Sequence, residues 1–155
     1  MITTKIATGM ALLFAGSLYL HSEFSLYTIS KKNYQTVTKV QQQKTPLQKR
    51  IANGKEIYTD FCMQCHRADG TGTPGTIPPL NNSDWLKKKR VQSIHSVKFG
   101  QSGEITVNGV KYNNTMPPMG LSNQEVADVM NYVMNSWSNK TTKMVTVTEV
   151  ANMVK

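Results

Sequence analysis

The chain contains only two cysteines, and they lie three positions apart in the segment Cys62-Met63-Gln64-Cys65-His66. This C-x-x-C-H spacing is typical of covalent haem attachment, in which two thiols add to the vinyl groups of a haem and the adjacent histidine becomes an axial iron ligand. The motif therefore predicts a fold built around one covalent haem c. Cys62 and Cys65 are the predicted attachment points, and His66 is a predicted iron ligand.

Other roles of this segment fit the rest of the chain less well. A thioredoxin-like dithiol requires a βαβ context, and no such pattern surrounds the cysteines. A zinc site requires two more nearby ligands, and the remaining histidines, His21 and His95, have no suitable companions. A structural disulfide across the motif would leave His66 without a role. Two cysteines in 155 residues also exclude a disulfide scaffold.

Residues 1–30 have the pattern of an export segment. Lys5 is followed by the uncharged apolar run from Ile6 to Leu20, which as a helix would reach about 22 Å, less than the ~30 Å hydrocarbon core of a bilayer. That length favours a signal peptide, but no clear cleavage site follows, and a helix continued to Ile29 would span the bilayer. A cleaved signal and an uncleaved membrane anchor both remain open. Either one places the rest of the chain outside the cytoplasm, in the periplasm of a bacterium.

Residues 31–45 are polar and rich in glutamine, which is typical of a flexible linker. If the first segment stays in the membrane, this linker is a tether. Sequencing the amino terminus of the mature protein distinguishes the two cases: a retained Lys5 indicates the anchor, and a start near His21 or beyond indicates cleavage.

From residue 46 to residue 155 the pattern is that of one mostly helical globular domain. Apolar residues recur at steps of three and four after Pro46, which predicts a helix, and Gly54 on its apolar face leaves room for another backbone. A basic helix capped by Ser83 is predicted to run to about Phe99 and to stop at Gly100. A hairpin of Ile105–Val107 and Val110–Tyr112 follows on an Asn108-Gly109 turn.

The last main helix is predicted to open with the capping box of Ser122 and Glu125. Its apolar face carries Val126, Val129, Met130, Val133 and Trp137. A short terminal helix is headed by Thr146 and Glu149.

Two methionines in the segment Met116-Pro117-Pro118-Met119 are candidates for the sixth iron ligand. A thioether is soft and neutral, so it stabilises ferrous iron and raises the reduction potential. Methionine is more often core filler, but a loop stiffened by two prolines is not a natural core position. Met116 is favoured, because it lies six residues before the cap Ser122 and leaves the loop room to reach across a haem. Met119 and an open sixth position remain alternatives.

These motifs together resemble those of a class I monohaem c-type cytochrome, as found among small bacterial cytochromes c. The resemblance covers about residues 46–155. It is carried by Gly54-Lys55-Glu56-Ile57-Tyr58 before CMQCH, by Gly70-Thr71-Gly72, by Pro78-Pro79-Leu80, by Tyr112-Asn113-Asn114-Thr115-Met116-Pro117 after the hairpin, and by Val133 to Trp137 (VMNSW).

The resemblance implies a mostly α cytochrome c fold, with crossed first and last helices around the haem and a short β-hairpin. The helices are expected to cross near Gly54, with Tyr132 or Trp137 close by. The resemblance also implies that a carbonyl of the Pro78-Pro79 segment accepts the Nδ1 proton of His66, and that Met116 binds the iron. Trp85 is either a neighbour of the haem propionates or an ordinary core residue.

The implied function is one-electron transfer between respiratory redox partners, with no catalytic residue. The net charge of +9 and the run Lys87-Lys88-Lys89-Arg90 are compatible with a docking patch for an acidic reductase, dehydrogenase or oxidase. A solvated helix face and, for a tethered chain, contact with anionic lipid are the alternatives. Nucleic acid is excluded as a partner by export and by the lack of interleaved basic and aromatic residues. A peroxidase-like enzyme with an open sixth position and a module of a membrane complex are the competing functions.

Overall fold

Helix α1 (Pro46–Phe61) opens the part of the chain that the computed structural model describes, residues 43–155. The predicted export segment and nearly all of the predicted linker lie outside these residues. Thr45 caps the helix, because its hydroxyl accepts from the Gln48 N–H at 3.2 Å while the Gln48 side chain accepts from the Thr45 N–H at 2.8 Å. Proline at the first helical position is confirmed, since that position needs no N–H donor.

The remaining elements confirm a mostly α domain with one small hairpin. They are α2 (Met63–His66), α3 (Asp84–Lys88), α4 (Arg90–Phe99), β1 (Ile105–Val107), β2 (Val110–Tyr112), α5 (Asn123–Val133) and α6 (Val147–Ala151). The strands pair antiparallel, with Ile105 opposite Tyr112 and Val107 opposite Val110. Ser122 and Glu125 form the predicted capping box of α5. No helix within residues 43–155 is long and apolar enough to cross a membrane.

The prediction of one basic helix from Ser83 to Phe99 is wrong in one respect. The helix is broken at Lys89, whose φ of −122° and ψ of 49° are not helical, although Ser83 caps its start and Gly100 ends its second part. The break lets Arg90 begin a new helix and donate from Nε and Nη2 to the two carboxylate oxygens of Glu149, both at 2.8 Å. A bidentate ion pair of this kind outweighs the helical propensity of a lysine run.

Helix α5 is shorter than predicted and does not include Trp137. It ends at Val133, where the side chain of Asn139 donates to the Val133 carbonyl at 3.0 Å and replaces a helical partner. Trp137 has a φ of 55° and lies in the turn that follows. Its indole N–H donates to the Ala68 carbonyl at 3.0 Å, so the tryptophan contacts the segment after His66 instead of extending the helix face.

Helices α1 and α5 cross at Gly54, as predicted. A Cβ atom at Gly54 would overlap the carbonyl oxygen of Asp128 and lie 2.8 Å from Cβ of Tyr132. Arg50 and the buried Asp128 pair across the same crossing at 2.9 Å. The ring of Tyr58 lies 5.3 Å from that of Tyr132, so aromatic packing continues the contact along both helices.

Within the part of the chain that the structure describes, the hydrophobic core has two parts. One lies between α1 and α5 and is built on Tyr58, Val129 and Val133. The other joins α4, α5 and α6 and consists of Ile94, Val126, Ala127, Met130, Met134, Val145 and Val150. The carboxy-terminal segment is fixed against this second part by Asn131, whose buried side chain bonds both the N–H and the carbonyl of Val145 at 2.8 Å.

Replacement of Gly54 by alanine should destabilise the domain, although the same change in an exposed helix usually stabilises it by about 0.5–1 kcal/mol. The added methyl group has to push α1 away from the α5 backbone, and overpacking of this kind costs about 1–3 kcal/mol. Thermal unfolding measures the effect. Lys55→Ala, at the exposed neighbouring position, is the control and should lie within about 0.5 kcal/mol of the parent. Equal stability of the two variants would contradict the close packing.

Candidate haem site

The four predicted site residues line a single cavity of about 360 Å³. Cys62, Cys65 and His66 reach it from the end of α1 and from α2, and Met116 reaches it from the loop after β2. Most of its other lining residues are apolar, and the lining comes from α3, α4, the hairpin and the loop after it, α5 and the loop at residues 76–80. The cavity falls in the size range of cofactor pockets, and its apolar walls suit a large, flat, largely apolar ring.

The cysteine motif follows α1 without a loop. The Cys62 N–H donates to the Tyr58 carbonyl at 2.9 Å, and the His66 N–H donates to the Cys62 carbonyl at 2.9 Å. No disulfide joins the two thiols; Cys62 is half-buried and Cys65 is exposed. Burial, with a smaller contribution from Cys65, raises the pKa of Cys62 to about 11. A thiol that stays protonated at neutral pH is unlike the reactive thiolates of dithiol oxidoreductases, whose pKa values are lowered.

His66 is buried, and its ring is oriented by the backbone. Nδ1 lies 3.2 Å from the Pro78 carbonyl oxygen, so the expected contact with the Pro78-Pro79 segment is confirmed. A carbonyl can only accept, so Nδ1 carries the proton and Nε2 keeps the lone pair that an iron ligand needs. Burial lowers the pKa of His66 against the smaller opposing effect of the Pro78 contact, which favours the neutral ring.

The segment that supplies Pro78 is held by several backbone hydrogen bonds. The Gly70 carbonyl accepts from the N–H groups of Leu80 and Asn81 at 2.7 and 2.9 Å, and the Gly72 N–H donates to the His66 carbonyl at 3.1 Å. The motif and the Pro78 segment therefore form one rigid unit. Both glycines after the motif have a positive φ and no room for a side chain: a Cβ atom at Gly70 would lie 2.7 Å from the Trp137 ring, and one at Gly72 would overlap the Ile77 carbonyl oxygen.

Met116 and Met119 both line the cavity and are both half-buried. They differ in how the backbone holds them. Met116 and Gln101 exchange two backbone hydrogen bonds of 2.8 Å, which fixes Met116 beside the end of α4. Met119 takes part in no bridge or strand within residues 43–155.

Sequence reasoning missed several residues that shape this site. The Asn114 side chain donates to the Thr76 carbonyl at 2.9 Å and so ties the Met116 loop to the segment of Pro78. Gln101 was not recognised, because the pattern gave no signal for an isolated bridge. Tyr112 and Trp85 also line the cavity. His95 is half-buried, does not line the cavity and packs on Phe99 with ring centroids 4.9 Å apart.

The basic run divides into two parts. Lys87, Lys88 and Lys89 are exposed, and the side-chain contacts of the first two are local: Lys87 donates to Asn82 Oδ1 at 2.7 Å, and Lys88 lies 3.5 Å from Asp84. Arg90 is the exception, because its guanidinium is half-buried and also donates to the carbonyls of Lys143 and Met144 at 3.2 Å. The surface formed by Lys87, Lys88 and Lys89 is called the lysine surface below.

The fold and the site define a single-haem electron-transfer domain with one C-x-x-C-H motif. The chain belongs to the cytochrome c family, since the family model described as Cytochrome c matches residues 51–137. As a member of this family it carries covalently bound haem c with its iron. Membership indicates electron transfer as the function and an electron carrier as the class of protein.

Three relatives show the range of proteins in which similar domains occur. The chain is 36% identical over 93 residues to cytochrome c-552 of Thermus thermophilus, which is 57% of this chain and 70% of that protein. It is 33% identical over 110 residues to the gluconate 2-dehydrogenase cytochrome c subunit of Pantoea cypripedii, covering 66% of this chain and 24% of the subunit. It is 33% identical over 88 residues to the Cbb3-type cytochrome c oxidase subunit FixP of Bradyrhizobium diazoefficiens, covering 53% of this chain and 29% of the subunit.

Proposed function

We propose that the chain is a one-electron carrier in which Cys62 and Cys65 hold the haem covalently and His66 and Met116 bind its iron. The observation that carries this proposal is the meeting of all four side chains at one apolar cavity. When bound, the haem supplies an iron that alternates between the ferric and ferrous states. No catalytic acid, base or nucleophile is required of the chain.

Each of the four residues has a distinct task in this proposal. The two thiols each form a thioether with a vinyl group and anchor the ring at the end of α1. Nδ1 of His66 keeps its proton and donates it in a hydrogen bond to the Pro78 carbonyl, which orients the imidazole ring and makes Nε2 a better electron-pair donor to iron. Met116 offers a neutral sulfur, which favours the ferrous state and raises the reduction potential.

The apolar walls and two polar side chains complete the pocket. Val129, Met130 and Val133 of α5 line the cavity and keep water away from the metal. Exclusion of water lowers the local dielectric constant, so the charge of the ferric state is less favourable there. Trp85 and Tyr112 add an indole N–H and a phenol O–H, which are suitable donors for the haem propionates.

The proposed partners are a reductase or dehydrogenase and an oxidase, each with an acidic docking surface. The names of the relatives support this, because one is a dehydrogenase subunit and another an oxidase subunit. The exposed lysine surface next to Trp85, a cavity-lining residue, is the proposed site of docking. We place the chain in the periplasm, free or anchored to the inner membrane by residues 1–30. Purification of the protein alone or with other subunits tests whether it is a carrier or a module of a complex.

Replacement of Cys62 and Cys65 by alanine should release the haem into acidic organic solvent, because no thioether then holds it. The measurement is the partition of haem absorbance between the solvent and the protein. The wild-type protein is the control and should retain its haem. Free extraction from the wild type would show that the attachment proposal is wrong.

Met116→Ala should abolish the weak far-red charge-transfer band of ferric iron bound to sulfur and should lower the reduction potential. It should also let carbon monoxide bind the ferrous protein, since the sixth position is then open. Met119→Ala is the matched control: it should keep the band and cost about 2 kcal/mol of stability or less.

Two other outcomes of the comparison between Met116→Ala and Met119→Ala are informative. Loss of the band in the Met119 variant alone would move the ligand three residues along the loop and leave the carrier function intact. If neither substitution changes the far-red band, and the ferrous wild-type protein binds carbon monoxide, the result would favour an enzyme with an open sixth position.

Exchange of Lys87, Lys88 and Lys89 for glutamine should slow electron transfer from an acidic flavodoxin and flatten its dependence on salt. Added salt screens such docking, since the Debye length is ~10 Å at 0.1 M. Stopped-flow reduction rates between low and high salt provide the measurement. Arg90 is left unchanged, because its pairing with Glu149 is structural.

The control variant carries the same charge change elsewhere, at the exposed residues Lys49, Lys55 and Lys140. Its salt dependence should stay closer to that of the wild type. An equal effect of both triple variants would mean that net charge, and not the lysine surface, steers the partner.

A further inference from the structure

The backbone of Met116 is fixed by one antiparallel contact with the end of α4. Its N–H donates to the Gln101 carbonyl and its carbonyl accepts from the Gln101 N–H, both at 2.8 Å. This bridge lies outside β1 and β2, so no neighbouring ladder supports it. Asn114 ties the start of the loop to the Thr76 carbonyl, and at Met116 itself the position of the loop depends on how closely it approaches the end of α4.

Gly100 determines how close that approach is. A Cβ atom at this position would lie 2.8 Å from the Met116 carbonyl oxygen, 3.0 Å from Cδ of Pro118 and 3.1 Å from the Pro118 nitrogen. All three atoms belong to backbone or to a proline ring and cannot rotate away. Gly100 also has a φ of 86° and a ψ of 171°, a region that only glycine adopts readily.

The other side of this contact cannot easily yield. Lys98, two residues before Gly100, donates through Nζ to the carbonyls of Val150 and Met153 at 2.8 and 3.3 Å. The Gln101 side chain accepts from the Ser96 hydroxyl at 3.0 Å. A side chain at position 100 would consequently displace the Met116 loop and not α4.

We propose that Gly100 is a positioning residue that sets the distance between the Met116 sulfur and the iron. The inference rests on the proposed ligation by Met116. Absence of a side chain at position 100 lets the loop close onto α4, and that closure brings the sulfur to bonding distance. Any larger residue holds the loop away, weakens the sulfur–iron bond and opens the sixth position.

The test compares Gly100→Ala with Gly103→Ala in the holoprotein of the full chain. Gly103 also has a positive φ, 82°, but a Cβ there would meet nothing within 4 Å. Both variants therefore place an alanine at a positive φ, and only the first meets the Met116 loop. Gly100→Ala should lose the far-red band, bind carbon monoxide in the ferrous state and show a lower reduction potential. Gly103→Ala should match the wild type in all three measurements.

Far-UV circular dichroism separates positioning from general unfolding. Under the proposal, the band of Gly100→Ala is already weak at temperatures where its helical signal is that of a folded protein. A full band in folded Gly100→Ala, combined with loss of the band in Met116→Ala, would overturn the positioning role and leave the ligation intact. Retention of the band in Met116→Ala would instead overturn the ligation, and the positioning role with it.

A second variant covers the case in which Gly100→Ala yields no folded holoprotein. Pro118→Ala removes the ring that packs on Gly100 and leaves α4 unchanged. Its far-red band should disappear on heating at a lower temperature than that of the wild type, while the unfolding temperature from circular dichroism changes little. Band and helical signal that disappear together, as in the wild type, would contradict the proposal.

Discussion

The contact between the backbones of α1 and α5 at Gly54 is the constraint on which the rest of this domain depends. Helix α1 ends directly at Cys62, so the crossing decides where the cysteine motif lies. Helix α5 supplies Val129, Met130 and Val133 to the cavity wall. A side chain at position 54 would move the motif away from that wall, because the Asp128 backbone occupies the space of a Cβ atom. Because Gly54 has no side chain, α1 can approach α5 closely enough for the cysteine motif to lie against the wall of the cavity.

Local signals in the sequence were sufficient for the elements that begin with a cap. Ser83, Ser122 and Thr146 each accept from the N–H three residues on, as their spacing predicted. The ends of helices were less predictable, because tertiary contacts decide them. The helix breaks at Lys89 within a run of good helical propensity, and the next residue, Arg90, pairs with Glu149, 59 residues further along the chain. The spacing of Trp137 fits the apolar face of α5, but the residue lies beyond the end of the helix, where its indole N–H donates to the Ala68 carbonyl.

In the candidate site, too, local features could be predicted from the sequence and tertiary contacts could not. The C-x-x-C-H motif is local, so its three residues could be named from their spacing alone, and the contact of His66 with Pro78 followed from a family resemblance. The contacts that hold the Met116 loop are not local. Asn114 reaches a carbonyl 38 residues away, and Gln101 meets Met116 through backbone atoms that any residue type possesses. A backbone pair leaves no trace in side-chain pattern, which is why only a folded chain reveals it.

The carboxy-terminal segment beyond residue 137 lies outside the part matched by the family model, yet it bears on the site. Hydrogen bonds from Arg90 hold the pKa of Glu149 below its usual value, so the pair stabilises the fold at neutral pH and loses that contribution as acid protonates the carboxylate. The pair joins α6 to the start of α4, and Lys98 joins the same segment to the end of α4. Since that end carries Gly100, the terminal segment fixes one side of the contact that positions Met116. Helix α4 is therefore held at both ends by the terminal segment, through Arg90 at its start and Lys98 near its end, while the lysines just before it face solvent.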